Sequence, residues 1–194
     1  MRLVLATRNP GKVAELAARL DGLGVTLVTA SDLDAPPVRE DADTLAGNAA
    51  TKARALWEHA GLPALADDTG LEVDALAGAP GVHSARFAGP DATDADNRRK
   101  LLADLSDATD RTARFRTVLA YIDADGLRTF DGVCEGTITT REAGTGGFGY
   151  DALFRPADGD GQTFAEMPPD AKNAISHRGR ALDAFLAWFE RHTS

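Results

Sequence analysis

The amino-acid sequence predicts an α/β fold, a mixed β-sheet with flanking helices in one unit of two lobes, and three observations lead there. A short apolar run at residues 3–6 passes through a loop into an amphipathic pattern, the order strand, loop, helix. Residues 114–123 and 127–139 alternate as two long strands around Asp125-Gly126, a strong hairpin signal. Leu182, Phe185, Leu186 and Phe189 recur at helical spacing and close the chain as an amphipathic helix.

Leu3-Val4-Leu5-Ala6 is of buried-strand type. Asn9 followed by Pro10 suits a helix N-cap with proline at the first helical position. Val13, Leu16, Ala17 and Leu20 then share one face, and Gly22 stops the helix. Residues 25–28 form a second strand, and residues 32–40, with Pro36-Pro37, must be loop. A long helix is predicted over 44–60, with Asp43 or Thr44 as cap and Gly61 past its end. Leu45, Ala49, Ala53 and Leu56 make its apolar stripe, while Asn48 and Lys52, four apart, share a neighbouring face. Residues 62–66 follow as a strand, with Pro63 near its start. Residues 78–90 read as an irregular loop, and a helix near 92–105 comes next. After the hairpin, the glycine-rich residues 144–149 lead into 150–154, which read as a strand.

The chain has 194 residues and a net charge of -9. That charge argues against a nucleic-acid partner, since no basic surplus is available to neutralise a row of phosphates. One anionic ligand is still possible, because it needs only a local lysine cluster, with or without a metal. Cys134 has no partner for an internal disulfide and stands in strand-like surroundings, as a core thiol does. The apolar N-terminal run is too short for a signal peptide or a membrane span, so no membrane partner and a cytoplasmic location are expected.

Four segments offer chemistry. Thr7-Arg8-Asn9-Pro10-Gly11-Lys12 joins the first strand to the first helix. A helix start presents backbone N–H groups and a partial positive charge, and Lys12 adds a full one, so the segment suits a phosphate. It is no Walker loop: the first glycine is missing and Val13 stands where a magnesium-binding serine or threonine would be. An ordinary strand-to-helix turn would use the same residues. Ala66-Asp67-Asp68-Thr69-Gly70 stands at the carboxyl end of an apolar strand, the edge where open α/β sheets place ligands. Adjacent carboxylates on a strand face opposite ways, so only one looks into a given cleft unless the chain turns at Thr69-Gly70. Their repulsion would be relieved by a metal or a shared proton. The other reading is a solvated acidic turn.

Gly144-Thr145-Gly146-Gly147-Phe148-Gly149 formally matches a dinucleotide fingerprint, but a strand and Pro156 follow where that motif needs a helix. A glycine-rich loop presenting Phe148, with Tyr150 and Asp151 alongside, suits a flat base, although on this segment alone a flexible turn with Phe148 in the core is the more common outcome. Lys172-Asn173-Ala174-Ile175-Ser176-His177-Arg178-Gly179 precedes the last helix, with Ser176 as its cap. Its cations and the donors His177 and Arg178 suit oxygen acceptors, or form a solvated basic helix start. The histidines are scattered and no zinc pattern exists, so any metal takes oxygen ligands. That favours magnesium or manganese, with Glu40, Asp67 and Asp68 the leading donors. Asp91, Asp94 and Asp96 read as the charged face and cap of a surface helix.

Five stretches, in order and with similar spacing, resemble the inosine/xanthosine triphosphate pyrophosphatase family. They are Ala6-Thr7-Arg8-Asn9-Pro10-Gly11-Lys12, Ala66-Asp67-Asp68-Thr69-Gly70-Leu71, Pro80-Gly81-Val82-His83-Ser84-Ala85-Arg86, residues 144–151, and Ala174-Ile175-Ser176-His177-Arg178-Gly179. The resemblance covers nearly the whole chain. It implies an elongated α/β fold with two lobes around a central cleft, one domain over residues 1–194, and a homodimer. It also implies hydrolysis of non-standard purine nucleoside triphosphates (ITP, dITP, XTP, dXTP) to monophosphate and pyrophosphate, with Mg2+ as cofactor and the small-molecule nucleotide as partner. Carried over residue by residue, Thr7, Arg8, Asn9, Pro10, Gly11 and Lys12 would hold the triphosphate, with Lys52 nearby. Asp68 would be the general base, and with Asp67 and Glu40 would hold magnesium. Thr69, Phe148, Gly149, Tyr150, Asp151, Lys172, His177 and Arg178 would bind the nucleotide. Many relatives have a glutamate before the asparagine of the second helix, where this chain has Gly47-Asn48, so the metal shell would lean on Glu40. Cleavage of a phosphoanhydride needs charge neutralised on both sides of the bond, which the lysines and magnesium would supply. Asp67 would raise the pKa of Asp68 and the metal would lower it.

Overall fold

The computed structural model describes residues 1–7, 9–21 and 24–193; Arg8, expected at the phosphate, and Gly22, expected to stop the first helix, lie outside them. Strand β1 (Arg2–Leu5) leads into α1 (Pro10–Leu20), capped by Asn9 with Pro10 in its first turn. Strand β2 (Thr26–Thr29) runs parallel to β1 with Leu3 opposite Leu27. Helix α2 (Leu45–Ala60) starts at Thr44, which accepts from the Gly47 amide, and stops at Gly61, whose φ of 63° is the left-handed conformation that closes a helix.

Strand β3 (Ala64–Val73) differs from the expected strand over 62–66, because it runs straight through Asp67-Asp68-Thr69-Gly70. It lies between β1 and β5 in the sheet, parallel to β1 with Leu5 opposite Leu65. Pairing with β1 at Ala64 and Leu65, and with β4 at Leu71 and Glu72, anchors the strand on either side of these residues against their local turn preference. The expected irregular stretch at 78–90 holds the short strand β4 (Pro80–Gly81), antiparallel to β3, and a single 3-10 turn at Ser84–Arg86. Helix α3 (Asp94–Asp104) opens with a capping box between Thr93 and Asp96. Strands β5 (Thr112–Asp123) and β6 (Gly126–Ile138) are neighbours joined at Asp125-Gly126, with Gly126 at a φ of 114°.

The strand expected over 150–154 lies later, as β7 (Phe154–Pro156) antiparallel to β6, with turns at 151–153 before it. The glycine-rich residues 144–149 lead into turns and β7 and not into a helix, so the dinucleotide reading stays rejected. The segment expected to precede the last helix is itself largely helical. It forms α4 (Pro169–Ile175), and Ser176 separates it from α5 (His177–Thr193) while accepting from the Gly179 amide at 3.0 Å.

The sheet is mixed, in the order β2-β1-β3-β5-β6-β7 with β4 on β3. Contacts divide the chain into two compact units, Met1–Asp68 with Thr117–Asp131 and Ala181–Ser194, and Thr69–Arg116 with Gly132–Arg180. The first has a core of Leu3, Leu5, Leu16, Leu65, Tyr121, Leu182, Phe185 and Phe189. The second buries Leu71, Val73, Leu101, Phe115, Ile138, Phe154 and Phe164. Cys134 belongs to that second core, where burial pushes its thiol up to about 11 and leaves it inert. Among the described residues no helix is long and apolar enough to cross a membrane.

Candidate active site

In the first unit the adjacent carboxylates of β3 are 1% and 7% exposed, so Asp67 and Asp68 are no solvated turn. Alternation along the strand sends them to different partners. Asp67 meets Lys12 of α1 at 2.9 Å. Asp68 meets Lys52 of α2 at 2.9 Å, and Lys52 also reaches Glu40 at 3.1 Å. One turn before Lys52, Asn48 donates to Asp68 Oδ2 at 3.3 Å and accepts from the Ala42 amide at 3.0 Å. Asn48 was missed as a site residue, although its spacing from Lys52 was the visible signal.

Burial is the largest influence on Asp68 and pushes its carboxyl up; Lys52 pulls it down, Glu40 pushes it up again, and the net shift is upward. Burial alone would lower Lys52, yet Asp68, Asp67 and Glu40 together hold its ammonium above the usual value. At Asp68 burial outweighs the pull of Lys52, and at Lys52 the carboxylates outweigh burial. The expected influence of Asp67 on Asp68 is thus overshadowed by burial and Lys52.

At the start of α1 the Asn9 side-chain Oδ1 accepts from the Gly11 and Lys12 amides at 2.9 and 3.3 Å, and the Asn9 backbone amide donates to Thr7 Oγ1 at 3.2 Å. Pro10 has no N–H to offer. The helix-start amides are therefore engaged by the chain's own cap, and the Lys12 ammonium is the group able to meet a phosphate. Gly47 fits its place closely: a Cβ there would lie 2.8 Å from Ala42 Cβ and 3.1 Å from Thr44 Oγ1. Among the described residues no three of His, Cys, Asp and Glu form a ready-made metal shell.

The second unit gathers Phe148, Tyr150, Asp151, Lys172, His177 and Arg178, with Thr69 beside them. Asp151 Oδ2 accepts from the Phe148 amide and from Lys172 Nζ, each at 2.9 Å. The Phe148 ring, half-buried rather than in the core, has Lys172 Nζ 4.9 Å and Arg178 Cζ 5.6 Å from its centroid. Arg178 is 2% exposed and donates to Thr69 Oγ1 at 3.2 Å. His177 stacks on Phe115 at 4.5 Å, and Tyr150 is buried with its hydroxyl donating to the Ser84 carbonyl. The solvated basic helix start is therefore excluded. Gly149 accepts and donates through its backbone, to Arg98 and Asp94 of α3. The acidic cluster expected as a helix face and cap thus splits: Asp96 caps, whereas Asp94 holds this loop.

Gly179, noted only as part of a motif, is a packing requirement. A Cβ there would overlap the Asn173 carbonyl oxygen, because α5 starts hard against the end of α4. Gly179→Ala should lower stability by about 1–3 kcal/mol, seen as a lower urea midpoint at unchanged slope. A wild-type midpoint would show that α4 and α5 can move apart freely.

Among known proteins, the model of the Ham1 family matches residues 3–188. A dITP/XTP pyrophosphatase of Geobacter sulfurreducens is 52% identical over 93% of this chain and 92% of that protein. A dITP/XTP pyrophosphatase of Escherichia coli K12 is 47% identical, over 95% and 96%. Among solved structures, a HAM1 protein from Coxiella burnetii has a TM-score of 0.91 at 39% identity, covering 98% of this chain and 99% of its own. A nucleoside-triphosphatase, dITP/XTP pyrophosphatase, from Mycobacterium abscessus has a TM-score of 0.75 at 44% identity, covering 96% and 99%. With this agreement in sequence along the chain and in fold, the chain belongs to the Ham1 family.

Proposed function

We propose that this chain hydrolyses non-standard purine nucleoside triphosphates (ITP, dITP, XTP, dXTP) to the nucleoside monophosphate and pyrophosphate, the activity for which its relatives are named dITP/XTP pyrophosphatases. The observation that carries the reading is the buried pairing of Asp67 and Asp68 with Lys12 and Lys52. Carboxylates that need cations, and lysines able to turn to phosphate, are what hydrolysis of a phosphoanhydride asks for.

Asp68 acts as the general base. Lys52 and Asn48 fix its carboxylate, and burial raises its proton affinity above the ordinary range, toward what abstraction of a proton from water requires. Lys12 and Lys52 bind the triphosphate, with Thr7, Asn9 and the turn at Pro10-Gly11 shaping the approach. An ammonium carries three donors, so each lysine can take phosphate oxygens. The donor set fits a hard divalent cation, since its ligand atoms are all oxygens and negative charge is in surplus. Glu40, Asp67 and Asp68 would hold magnesium, which when bound offsets charge on the phosphates. Phe148 stacks on the base, and Arg178 donates to its 6-oxo group. Thr69 and Gly149 to Asp151, with Lys172 and His177, complete the nucleotide contacts by fixing Phe148 and Arg178. One domain over residues 1–194, a homodimer and a cytoplasmic location belong to the same reading; light scattering of the purified protein tests the dimer.

A panel of nucleoside triphosphates with magnesium, scored for phosphate and pyrophosphate, tests the function. ITP, dITP and XTP should release pyrophosphate, with solvent oxygen from labelled water on the monophosphate, and exhaustive chelation should stop the reaction without unfolding the protein. Label on free orthophosphate with a diphosphate left behind would mean attack on the γ phosphorus instead.

Asp68→Asn keeps the shape and removes the base, so it should fold, bind nucleotide and turn over at least a hundredfold more slowly, roughly the contribution of a positioned base. Near-normal turnover would remove Asp68 from the chemistry.

ITP should be preferred to ATP, because adenine presents an amino group where the 6-oxo purines present an acceptor. Pairing donor against donor costs about 1–3 kcal/mol per buried group, roughly tenfold or more in rate. Arg178→Ala should therefore slow ITP hydrolysis much more than ATP hydrolysis. A variant that retains the full preference would show that another residue reads the base.

A further inference from the structure

Helix α3 takes part in neither of the roles described so far, yet two of its side chains grip the loop that carries Phe148. Asp94, in the first turn of α3, accepts the Gly149 amide on Oδ2 at 2.8 Å. Arg98, four residues on and therefore on the same helical face, donates from Nη1 to the Gly149 carbonyl at 2.9 Å. The peptide groups on both sides of one glycine are thus held by one helix. Arg98 also meets Glu142 through Nε at 3.0 Å, so one guanidinium ties the segment before the loop to its far end. Asp94 is not needed as a cap, since Thr93 and Asp96 already form the capping box.

Gly149 is the residue after Phe148 and sits at a φ of 60°, in left-handed backbone that sets the direction of the chain at the ring. From its other side the loop is tied by Asp151, whose Oδ2 accepts from the Phe148 amide. Two independent clamps therefore fix the Phe148 backbone, one from Asp151 and one from α3. Both α3 contacts are charge-assisted bonds to backbone, stronger than neutral ones. Neither Asp94 nor Arg98 touches the ring itself.

We infer that Asp94 and Arg98 are positioning residues for base recognition, holding the Gly149 peptide so that Phe148 is presented in one orientation. The inference rests on the reading of residues 144–151 as the base-binding loop. Loss of either clamp leaves the loop more conformations to lose on binding, so it weakens nucleotide binding and leaves the chemical step alone.

The test is steady-state hydrolysis of ITP and ATP by the wild-type protein and by Asp94→Ala, Arg98→Ala, Asp94→Asn and Phe148→Ala, with a melting temperature for each. Asp94→Ala and Arg98→Ala should raise KM for ITP by about three- to tenfold, with kcat within about twofold of wild type and a flatter preference over ATP. Asp94→Asn should restore the wild-type KM, because an amide oxygen still accepts the Gly149 N–H. A merely structural role would instead lower the melting temperature and depress both substrates alike, and that outcome overturns the inference. So does an unchanged KM in both alanine variants while Phe148→Ala raises it, in which case the loop still binds the base but α3 does not position it. Should Phe148→Ala leave KM and base preference unaltered, the base-binding reading falls and the inference falls with it. If Arg98→Ala does not fold, the comparison of Asp94→Ala with Asp94→Asn decides alone.

Discussion

Two adjacent carboxylates buried in one strand set the terms for the first unit. Removing an ion from water costs several kcal/mol even after relaxation, so neither Asp67 nor Asp68 can be buried without a cation. Asp67 pairs with Lys12 of α1 and Asp68 with Lys52 of α2, so two helices each deliver a lysine at the right depth. Helix α1 begins at Asn9-Pro10 and so carries Lys12 in its first turn; α2 begins at Thr44 and carries Lys52 two turns in. The two caps therefore decide where the charges stand. Breaking a buried pair of this kind typically costs about 3–5 kcal/mol, so the helix starts are fixed by electrostatics as much as by propensity.

The second unit solves a related problem with one buried pair and an aromatic wall. Lys172 and Asp151 are both nearly inaccessible and pair at 2.9 Å, while Phe115, Phe148 and Phe164 lie about the cationic and imidazole groups. Cations over ring faces are stabilised more when water is excluded. Lys172 comes from α4 and Arg178 from α5, so both depend on the break at Ser176 and on the absence of a side chain at Gly179. Single-residue punctuation thus places the charges here as well.

Much of this was legible in the sequence, and the failures share a cause. Asn9-Pro10, Thr44, Gly61 and Asp125-Gly126 announce local structure by local chemistry, and each sits where its residue type requires. Asp67-Asp68-Thr69-Gly70 carries equally local turn chemistry, but β3 is paired with β1 before this stretch and with β4 after it, pairings that no local signal displays. Likewise α4, only seven residues long, is too short to display an apolar periodicity, although Pro169 in its first turn is a helix-start signal. Asp94 looked like surface charge since its partner, Gly149, lies 55 residues away. Burial governs Asp68, and burial is a property of the packed chain, which no spacing of residues displays.

The surplus of negative charge around Asp68 has a consequence for how the ligands would enter. Without them, Lys12 and Lys52 are engaged by carboxylates, and Asp68 and Lys52 each hold a proton more tightly than usual. A polyanion arriving by itself would deepen that surplus and be repelled. A divalent cation arriving by itself would meet carboxylates already shared with lysines. In the proposed function Glu40, Asp67 and Asp68 would hold the cation while Lys12 and Lys52 would meet the phosphates, so the cation would offset part of the charge that the polyanion brings. This is why the buried pairs do not have to be read as a cost borne for stability, since well-packed apolar residues could have served that end equally well. Their arrangement makes most sense as a set of ions already desolvated and held in place, ready to exchange partners with substrate.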